Sequence, residues 1–414
     1  MPPRPQPIHL AVALDGAGWH PAAWREPDAA AAAEFFRPAY WVDLAGRAQA
    51  GLLDFVTIED GFALQSTRWD GPDGRADQVR GRLDAALIAA RVAPATAHIG
   101  IVPTVTTTHT EPFHVSKTIA TLDYASTGRA GWRVQVGGRG RESELFGRRA
   151  LPQLASADPA GPANRALIAE LFDEAADHVE AVRRLWDSWE DDAEIRDAAT
   201  GRFVDRAKLH YIDFRGRNFS VRGPSITPRP PQGQPPVFAL AHAAPAYELA
   251  AKAADVVLVT PHDADSIPPI LAEIRAAQQA AGRSGEPLRV LADLVVFLDR
   301  DEPTAVGRRE RLGSLAGADY TSDAPVFAGS PAALADLLEA WNAAGLDGFR
   351  LRPAAIPHDL DAVARDLVPL LQARGLFRTG YRGATLRGLL GLRRPADRYA
   401  VRESTTEHER ALGR

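Results

Sequence analysis

The sequence of 414 residues contains no cysteine. This absence excludes disulfide bonds, thiolate nucleophiles and cysteine-ligated metal sites, and it leaves the redox compartment undecided. Lysine is also scarce, since it occurs only at Lys117, Lys208 and Lys252, so arginine carries nearly all of the positive charge. The net charge of −5 gives no reason to expect a nucleic-acid partner.

Long apolar runs are missing as well. The chain has no run of roughly 18 apolar residues, and its start, MPPRPQP, has no apolar signal region. We therefore expect a cytoplasmic protein that makes no membrane contact. We also expect residues 1–7 and the charged tail 395–414 to be disordered, and 8–394 to form one domain.

Eight short apolar segments predict β-strands, and segments with helical periodicity separate them. The expected strands are 8–14, 54–60, 98–105, 131–136, 237–241, 255–260, 288–298 and 347–353. The expected helices are 34–51, 81–94, 112–126, 165–187, 245–253, 264–281, 330–344 and 359–374. This alternation predicts an α/β fold, a (β/α)8 TIM barrel. A doubly wound open sheet has the same local pattern and is the alternative.

One segment fits no regular strand–helix unit. Residues 188–235, between strands four and five, are rich in glycine, proline and arginine. Long irregular insertions often cover functional sites. We expect this insertion to form a lid or a wall of the site.

The candidate site residues follow the strands, because TIM-barrel sites lie at the carboxyl ends of the strands. They include a run of threonines with His109 and His114 after strand three, GGRGRE after strand four and HAAP after strand five. Each also has a structural alternative: Asp60 as the start of a turn, the threonine hydroxyls as partners of the backbone, and the histidines as solvated or capping residues. No metal site is expected. A rim of hydroxyl, amide, imidazole and indole groups suits a planar aromatic cofactor.

Several longer motifs carry a family resemblance. They are GAGWHPAAWREP, YWVDLAGRAQAGLLDFVTIED, TTTHTEPFHVSKTIATLDYASTGRAGW, TGRFVDRAKLHYIDFRGRNFSVRGP and RGLFRTGYRGATLRGLLGL. With them the sequence resembles the bacterial luciferase-like flavin-dependent monooxygenases. The similar subgroup contains the nitrilotriacetate, EDTA, long-chain alkane and dibenzothiophene sulfone monooxygenases.

The resemblance implies a luciferase-like TIM barrel, usually a homodimer. It also implies that the protein takes reduced FMN from a separate flavin reductase and uses O2 to oxygenate a small organic substrate. In this family the flavin would lie near Asp60 and Thr104, and the substrate pocket near His20 and Trp24. His109 and His114 are further pocket candidates, and the resemblance identifies no catalytic residue.

The chain departs from the family at the flavin site. Positions that hold a flavin-contacting His and Tyr in the family are Ile168 and Phe172 here, and two serines of the FMN phosphate turn are Ala243 and Ala244. Each charge-assisted hydrogen bond to a phosphate contributes about 1.5–3 kcal/mol. FMN binding is therefore expected to need replacement contacts.

Three residues are candidates for those contacts: Arg139, Arg141 and His242. Two other functions remain open. One is a deazaflavin-dependent hydride-transfer oxidoreductase, because distant relatives use that cofactor. The other is a homologue without catalysis that binds a flavin or another ligand, which the apolar Ile168 and Phe172 favour.

Overall fold

The computed structural model describes residues 7–29, 32–66, 68, 71–138, 140–151 and 161–400 of the chain. Its strands are β1 (His9–Leu14), β2 (Phe55–Ile58), β3 (Gly100–Thr106), β4 (Trp132–Gln135), β5 (Glu194–Asp197), β6 (Arg202–Val204), β7 (Phe214–Arg215), β8 (Ser220–Val221), β9 (Val237–Leu240), β10 (Val256–Val259), β11 (Arg289–Leu298), β12 (Val326–Gly329) and β13 (Gly348–Pro353). Its helices are α1 (Pro38–Ala50), α2 (Ala85–Val92), α3 (Pro112–Ala125), α4 (Gly140–Phe146), α5 (Pro162–Trp186), α6 (Ala244–Ala253), α7 (Ile267–Ala280), α8 (Glu302–Ala316), α9 (Pro331–Ala343), α10 (His358–Ala362), α11 (Val368–Ala373) and α12 (Leu386–Leu389).

Eight parallel strands close into a barrel in the order β1, β2, β3, β4, β9, β10, β11 and β13. β1 pairs with both β2 and β13, and β10 pairs with β11 to complete the ring. These are the eight strands that the apolar segments predict, so the (β/α)8 TIM barrel is confirmed. The open-sheet alternative is wrong. β12, which was not predicted, pairs only with the carboxyl-terminal half of β11 and lies outside the ring.

The predicted helix 330–344 is α9, and it begins with a capped turn. The Ser330 hydroxyl accepts a hydrogen bond from the backbone N–H of Ala333 at 3.2 Å, and Pro331 opens the helix. α8 was not predicted. Its sequence, EPTAVGRRERLGSLA, is dominated by charged and small residues and has little apolar periodicity. Asp301 nevertheless caps α8 by accepting from the N–H of Thr304 at 2.9 Å.

The barrel interior is apolar at the amino-terminal ends of its strands. Phe55, Phe238 and Leu258 pack there with Leu386 of α12, so the last short helix plugs this end of the barrel. A side chain in place of Gly100 would collide with Leu386, so a residue with no side chain makes room for the plug. Burial of these groups contributes to stability through the removal of apolar surface from water.

The insertion 188–235 does not form the expected lid or wall. It folds into two small hairpins, β5–β6 and β7–β8, and its apolar side chains pack on the outer face of α5. Gln232 donates its amide to the Ala130 carbonyl at 2.8 Å, at the amino-terminal end of β4. The insertion therefore lies against the outside and the base of the barrel, because its apolar residues complete the cover of α5.

The charged tail also differs from expectation over its first six residues. The Pro395 carbonyl accepts from the Arg229 guanidinium at 3.0 Å, and Arg398 pairs with Asp187 at 3.0 Å. Asp397 is buried. Residues 395–400 are therefore held by the insertion and α5, whereas 1–6 and 401–414 lie outside the described residues. Among the helices described, none is long and apolar enough to span a bilayer.

Candidate active site

A cavity of about 480 Å3 opens at the carboxyl ends of β1, β2 and β4. Its lining comes from 15–21, 60–61, 63–66, 78–79 and 135–138, together with Arg82 and Glu142. The position agrees with the general rule for TIM barrels. The volume is in the range of small-molecule sites, which is about 300–1,000 Å3.

Two carboxylates on the cavity wall are held by specific partners. Asp15 accepts from the Arg82 guanidinium, with 3.0 Å between Oδ1 and Nε. Asp60 accepts from the backbone N–H of Gly61 at 2.7 Å and from that of Ala85, the first residue of α2, at 2.9 Å. Burial raises the pKa of Asp60. Asp60 therefore lines the cavity and also fixes the turn at Gly61, so both the functional and the structural interpretation of this residue apply.

Three residues of the cavity wall carry buried polar atoms that have no hydrogen-bond partner among the described residues. These atoms are Nε2 of His20, Nε2 of Gln78 and Oε1 of Gln135. Leaving such an atom buried and unpaired costs about 1–3 kcal/mol. Unpaired polar groups in a native fold therefore mark places where a water or a ligand is bound.

His20 has a defined protonation state. Burial, followed by the charges of Arg308 and Arg309, lowers its pKa to about 4, so the ring is neutral near pH 7. Its Nδ1 accepts the backbone N–H of Ala22 at 3.1 Å. A neutral imidazole carries one proton, so that proton is on Nε2. His20 thus presents an unpaired N–H donor.

Thr104 lies below the cavity rather than on its wall. Its side chain is fully buried in the barrel, and its hydroxyl accepts from Arg133 Nε at 2.9 Å. The next threonines bond to the loop after β4. Thr107 donates to the Gln135 carbonyl at 3.2 Å, and Thr108 accepts from the N–H of Gly137 at 2.8 Å. Their hydroxyls therefore position that loop through backbone contacts.

The carboxyl-terminal half of the barrel interior is a layer of ion pairs that the sequence analysis missed. Glu59 pairs with Arg133 and with Arg350, and Arg350 Nε donates to Asp293 at 2.8 Å. Burial opposes ionisation of Asp293, but its two arginine partners, Arg350 and Arg352, hold its pKa below the usual value. Charges buried in a protein must be paired in this way.

The ionic layer extends to the turn before α6. Arg352 bonds Asp293 and also Asp323, with 2.6 Å between Nη1 and Asp323 Oδ1. Asp323 lies 3.3 Å from Nε2 of His242, and Nδ1 of His242 lies 2.8 Å from the Thr260 hydroxyl. His242 is therefore oriented by two partners while its ring stays partly exposed.

α6 begins with an uncapped end next to His242. Ala243 is the N-cap residue, and its side chain caps no N–H of the first turn. Pro245 has no N–H, and those of Ala246 and Tyr247 bond to the Ala243 carbonyl at 3.0 and 3.1 Å. The free N–H groups of a helix N-terminus attract anions. The loss of the two serines therefore removes hydroxyls from this turn but leaves the backbone N–H groups of Ala243 and Ala244.

Other predicted site residues lie apart from the cavity wall. His109 stacks on Phe146 with 5.0 Å between ring centroids, its Nε2 is buried without a partner, and burial and Arg149 lower its pKa. Trp24 is largely exposed and donates to the Asp77 carbonyl at 3.0 Å. His114 is exposed on α3 and Arg141 is exposed on α4.

Arg139 lies outside the described residues. Within the described part of the chain, no three histidine, aspartate or glutamate side chains are grouped to hold a metal ion.

Sequence reasoning missed several residues of the cavity wall: Asp15, Gln78, Arg82 and Gln135. Asp15 directly follows β1, so the rule that located Asp60 would also have found it. Gln135 ends β4 and would have been found in the same way. Gln78 and Arg82 come from the irregular connection between β2 and α2, which has no periodic signal.

Comparison with known proteins places this geometry in a family. The family model described as luciferase-like monooxygenase matches residues 17–348. The N-acetyl-S-(2-succino)cysteine monooxygenase of Bacillus subtilis (strain 168) is 29% identical, over 97% of this chain and 100% of its own length. Nitrilotriacetate monooxygenase component A of Aminobacter aminovorans is also 29% identical, over 95% of this chain and 98% of its own length.

A solved structure agrees with these matches. The crystal structure of a riboflavin lyase with modified FMN and the substrate riboflavin has a TM-score of 0.80 and 26% identity, covering 94% of this chain and 97% of that chain. The family match covers most of the sequence and includes six complete barrel strands, from β2 to β11, and the first residue of β13. This chain belongs to the luciferase-like monooxygenase family.

Proposed function

We propose that the protein is a flavin-dependent monooxygenase that uses reduced FMN and O2 to oxygenate a small organic molecule. The observation that supports the proposal is the cavity at the carboxyl ends of the strands, because its wall holds unpaired polar atoms. The chain also belongs to the luciferase-like monooxygenase family. Reduced flavin would supply the electrons for oxygen activation.

The unpaired groups fit the flavin ring system. The pyrimidine edge of a flavin has carbonyl acceptors and one N–H donor, and the wall offers an amide N–H from Gln78 and an amide oxygen from Gln135. Trp19 forms part of the same wall, with its ring 4.5 Å from the Arg352 guanidinium carbon. Flat and polar groups together can orient a tricyclic ring and exclude water from it.

The phosphate of FMN would be held at the start of α6. The backbone donors there would be the N–H groups of Ala243 and Ala244, because Pro245 has none and those of Ala246 and Tyr247 bond to the Ala243 carbonyl. His242 would join them by exchanging its Nε2 contact with Asp323, at 3.3 Å, for a bond to the phosphate. Asp323 and Thr260 position the His242 ring. These contacts replace the serine hydroxyls that the turn lacks. Arg139 remains a candidate for the same role.

His20 would hold the substrate or the flavin through its Nε2–H. A neutral N–H donor binds a carbonyl, sulfonyl or other oxygen acceptor without transferring its proton. Its role in the proposal is therefore to orient a ligand. We further propose that a separate reductase supplies the reduced FMN and that the enzyme is a homodimer.

The proposal is tested by flavin titration under anaerobic conditions. Reduced FMN is titrated into the purified protein and binding is followed by tryptophan fluorescence, with the deazaflavin cofactor in a parallel titration. Oxygen consumption is then compared with a control that lacks the protein. Saturable binding of reduced FMN with protein-dependent oxygen consumption is expected. Binding of the deazaflavin alone, or of neither cofactor, overturns the proposal.

Variants at the start of α6 locate the phosphate contact. His242→Ala should weaken reduced FMN about tenfold, because it removes the hydrogen bond that Nε2 would make to the phosphate in place of its contact with Asp323. Ala243→Ser should strengthen it by restoring a hydroxyl. Riboflavin, which has no phosphate, serves as the control ligand, and its affinity should be the same in all three proteins. An equal loss for riboflavin would show that His242 does not contact the phosphate.

A further inference from the structure

A second cavity lies at the opposite end of the barrel from the candidate active site. It has a volume of about 600 Å3 and opens between the end of α6, the start of β10 and the segment 393–398. Its lining includes three carboxylates, Asp187, Asp255 and Glu286. The cations of its lining outnumber them: they are Arg183, Lys252, Arg283, Arg387, Arg393, Arg394 and Arg398.

Part of this positive charge is neutralised by residues around the cavity. Lys252 pairs with Asp173, Arg394 with Asp191, and Arg398 with Glu180 and Asp187. These pairs leave the remaining four arginines of the lining to share two carboxylates, Asp255 and Glu286.

Asp255 binds two of those four arginines. Arg183 lies 2.6 Å from one of its oxygens and Arg387 lies 3.2 Å from the other. Burial opposes its ionisation, yet the two arginines lower the pKa of Asp255 to about 2. This carboxylate is therefore fully engaged and has no capacity to neutralise further charge.

The other two arginines are poorly neutralised. Arg393 lies 3.8 Å from Glu286, which also lies 3.9 Å from Arg387. Arg283 donates only to backbone carbonyls, those of Glu286, Ala251 and Ala254, and within the described residues no carboxylate lies within 4 Å of it. The cavity thus has an excess of about two positive charges by this pairing.

We propose that this second cavity is a binding site for a multivalent oxyanion, such as a phosphorylated or polycarboxylate small molecule. Guanidinium groups bind phosphate and carboxylate oxygens through paired hydrogen bonds. Arg283 and Arg393 line the cavity from two different segments, so one anion between them would complete the charge pairing. The site is independent of the flavin chemistry, because the two cavities share no lining residue.

The alternative is that these arginines only stabilise the base of the barrel, as residues at this end usually do. The two explanations differ for Glu286→Gln. This variant keeps an amide oxygen as acceptor for the backbone N–H of Arg393 but removes a competing negative charge. An anion site predicts tighter binding of the anion, whereas a purely structural cluster predicts no anion binding in either protein.

The experiment is calorimetric titration of the full-length protein with inorganic pyrophosphate and, separately, with citrate. Ionic strength is held constant with sodium chloride, because screening alone changes the apparent affinity of surface charges. Saturable binding of one anion per chain is expected, together with a rise of Tm. The tighter of the two anions identifies the preferred oxyanion.

Variants locate the bound anion. Arg393→Ser should weaken it about tenfold and Glu286→Gln should strengthen it severalfold, whereas Arg300→Ser, an equally exposed arginine at the other end of the barrel, should leave it unchanged. Arg393 is exposed, so its loss does not threaten folding. No saturable binding, or a loss in His242→Ala without a loss in Arg393→Ser, overturns the proposal.

Discussion

His178 and His20 are buried imidazoles whose charged forms the fold disfavours. Burial lowers the pKa of His178 to about 3, and that of His20 is about 4, against about 6.5 for an exposed histidine. The unfolded chain therefore binds more protons than the folded chain between these values. The stability that the neutral rings contribute is complete above about pH 6.5 and is lost as the pH falls towards 4.

We expect His178→Phe to reduce this acid sensitivity. The free energy of unfolding should fall less steeply between pH 6.5 and pH 4 than in the parent protein, by about 3 kcal/mol over the window. Urea denaturation at a series of pH values measures the slope. His114→Phe changes an exposed histidine and should keep the parental slope. A parental slope in His178→Phe would contradict the assignment.

Asp293 is the carboxylate on which the ionic layer depends. Arg350 and Arg352 both bond to it and all three side chains are buried. Asp293→Asn leaves two buried guanidinium groups with too little negative charge and should cost about 3–5 kcal/mol in denaturant unfolding. Asp192→Asn, which breaks an exposed pair with Lys208, should leave stability almost unchanged. Equal effects of the two variants would show that the layer contributes no more than a surface pair.

The sequence predicted some of the individual residues that line the cavity. Asp60 and His20 lie on the cavity because both follow barrel strands. Thr104 obeys the same rule, but its side chain lies within the barrel and bonds to Arg133. Trp24 and His114 are at the correct end of their elements, yet their side chains point elsewhere. The distance of a residue along the chain from a strand does not determine its orientation in a loop.

The loop after β1 depends on Gly18. Its φ is 126°, and a Cβ at this position would overlap the backbone of Ala354 and Ala355. Trp19 and His20 follow it directly, so the cavity wall depends on this close approach. We expect Gly18→Ala to lose about 1–3 kcal/mol of stability, as strained backbone positions do, and to weaken flavin binding.

Gly46→Ala is the matched control for that prediction. Gly46 lies inside α1 and has open space around its Cα. Alanine there should stabilise the protein by about 0.5–1 kcal/mol, because it restricts the unfolded chain and favours the helix. Thermal unfolding and flavin titration of both variants provide the measurements. A Gly18→Ala protein that binds flavin normally would show that the loop adapts.

Element prediction succeeded where a side-chain pattern is repeated. Apolar segments predicted all eight barrel strands, and helical periodicity predicted α9. α8 was missed because charged residues cover most of its surface. The insertion 188–235 was correctly seen as irregular but wrongly placed. Its apolar residues, such as Phe214 and Phe219, are what fix it to α5, and their partner is distant in sequence.

The barrel interior is apolar at the amino-terminal ends of the strands and contains the ionic layer at their carboxyl-terminal half. Leu386 closes the apolar end. Its side chain is fully buried among Phe55, Phe238 and Leu258. Leu386→Ala should cost about 2–5 kcal/mol, since it leaves a cavity where four strands begin. Leu87→Ala, at an exposed position of α2, is the control and should change unfolding by less than about 1 kcal/mol. A small effect of Leu386→Ala would show that the base is sealed without it.

The position of this plug in the chain has a consequence for biosynthesis. The ring needs β13 to pair with β1, and its base needs Leu386, so both finishing contacts come from the last part of a 414-residue chain. Contacts between residues so far apart in sequence form slowly, and the unpaired edges of β1 and its neighbours stay exposed until these contacts form. During translation the barrel therefore stays incomplete until β13 and Leu386 have left the ribosome, and chaperones would protect the exposed strand edges until then.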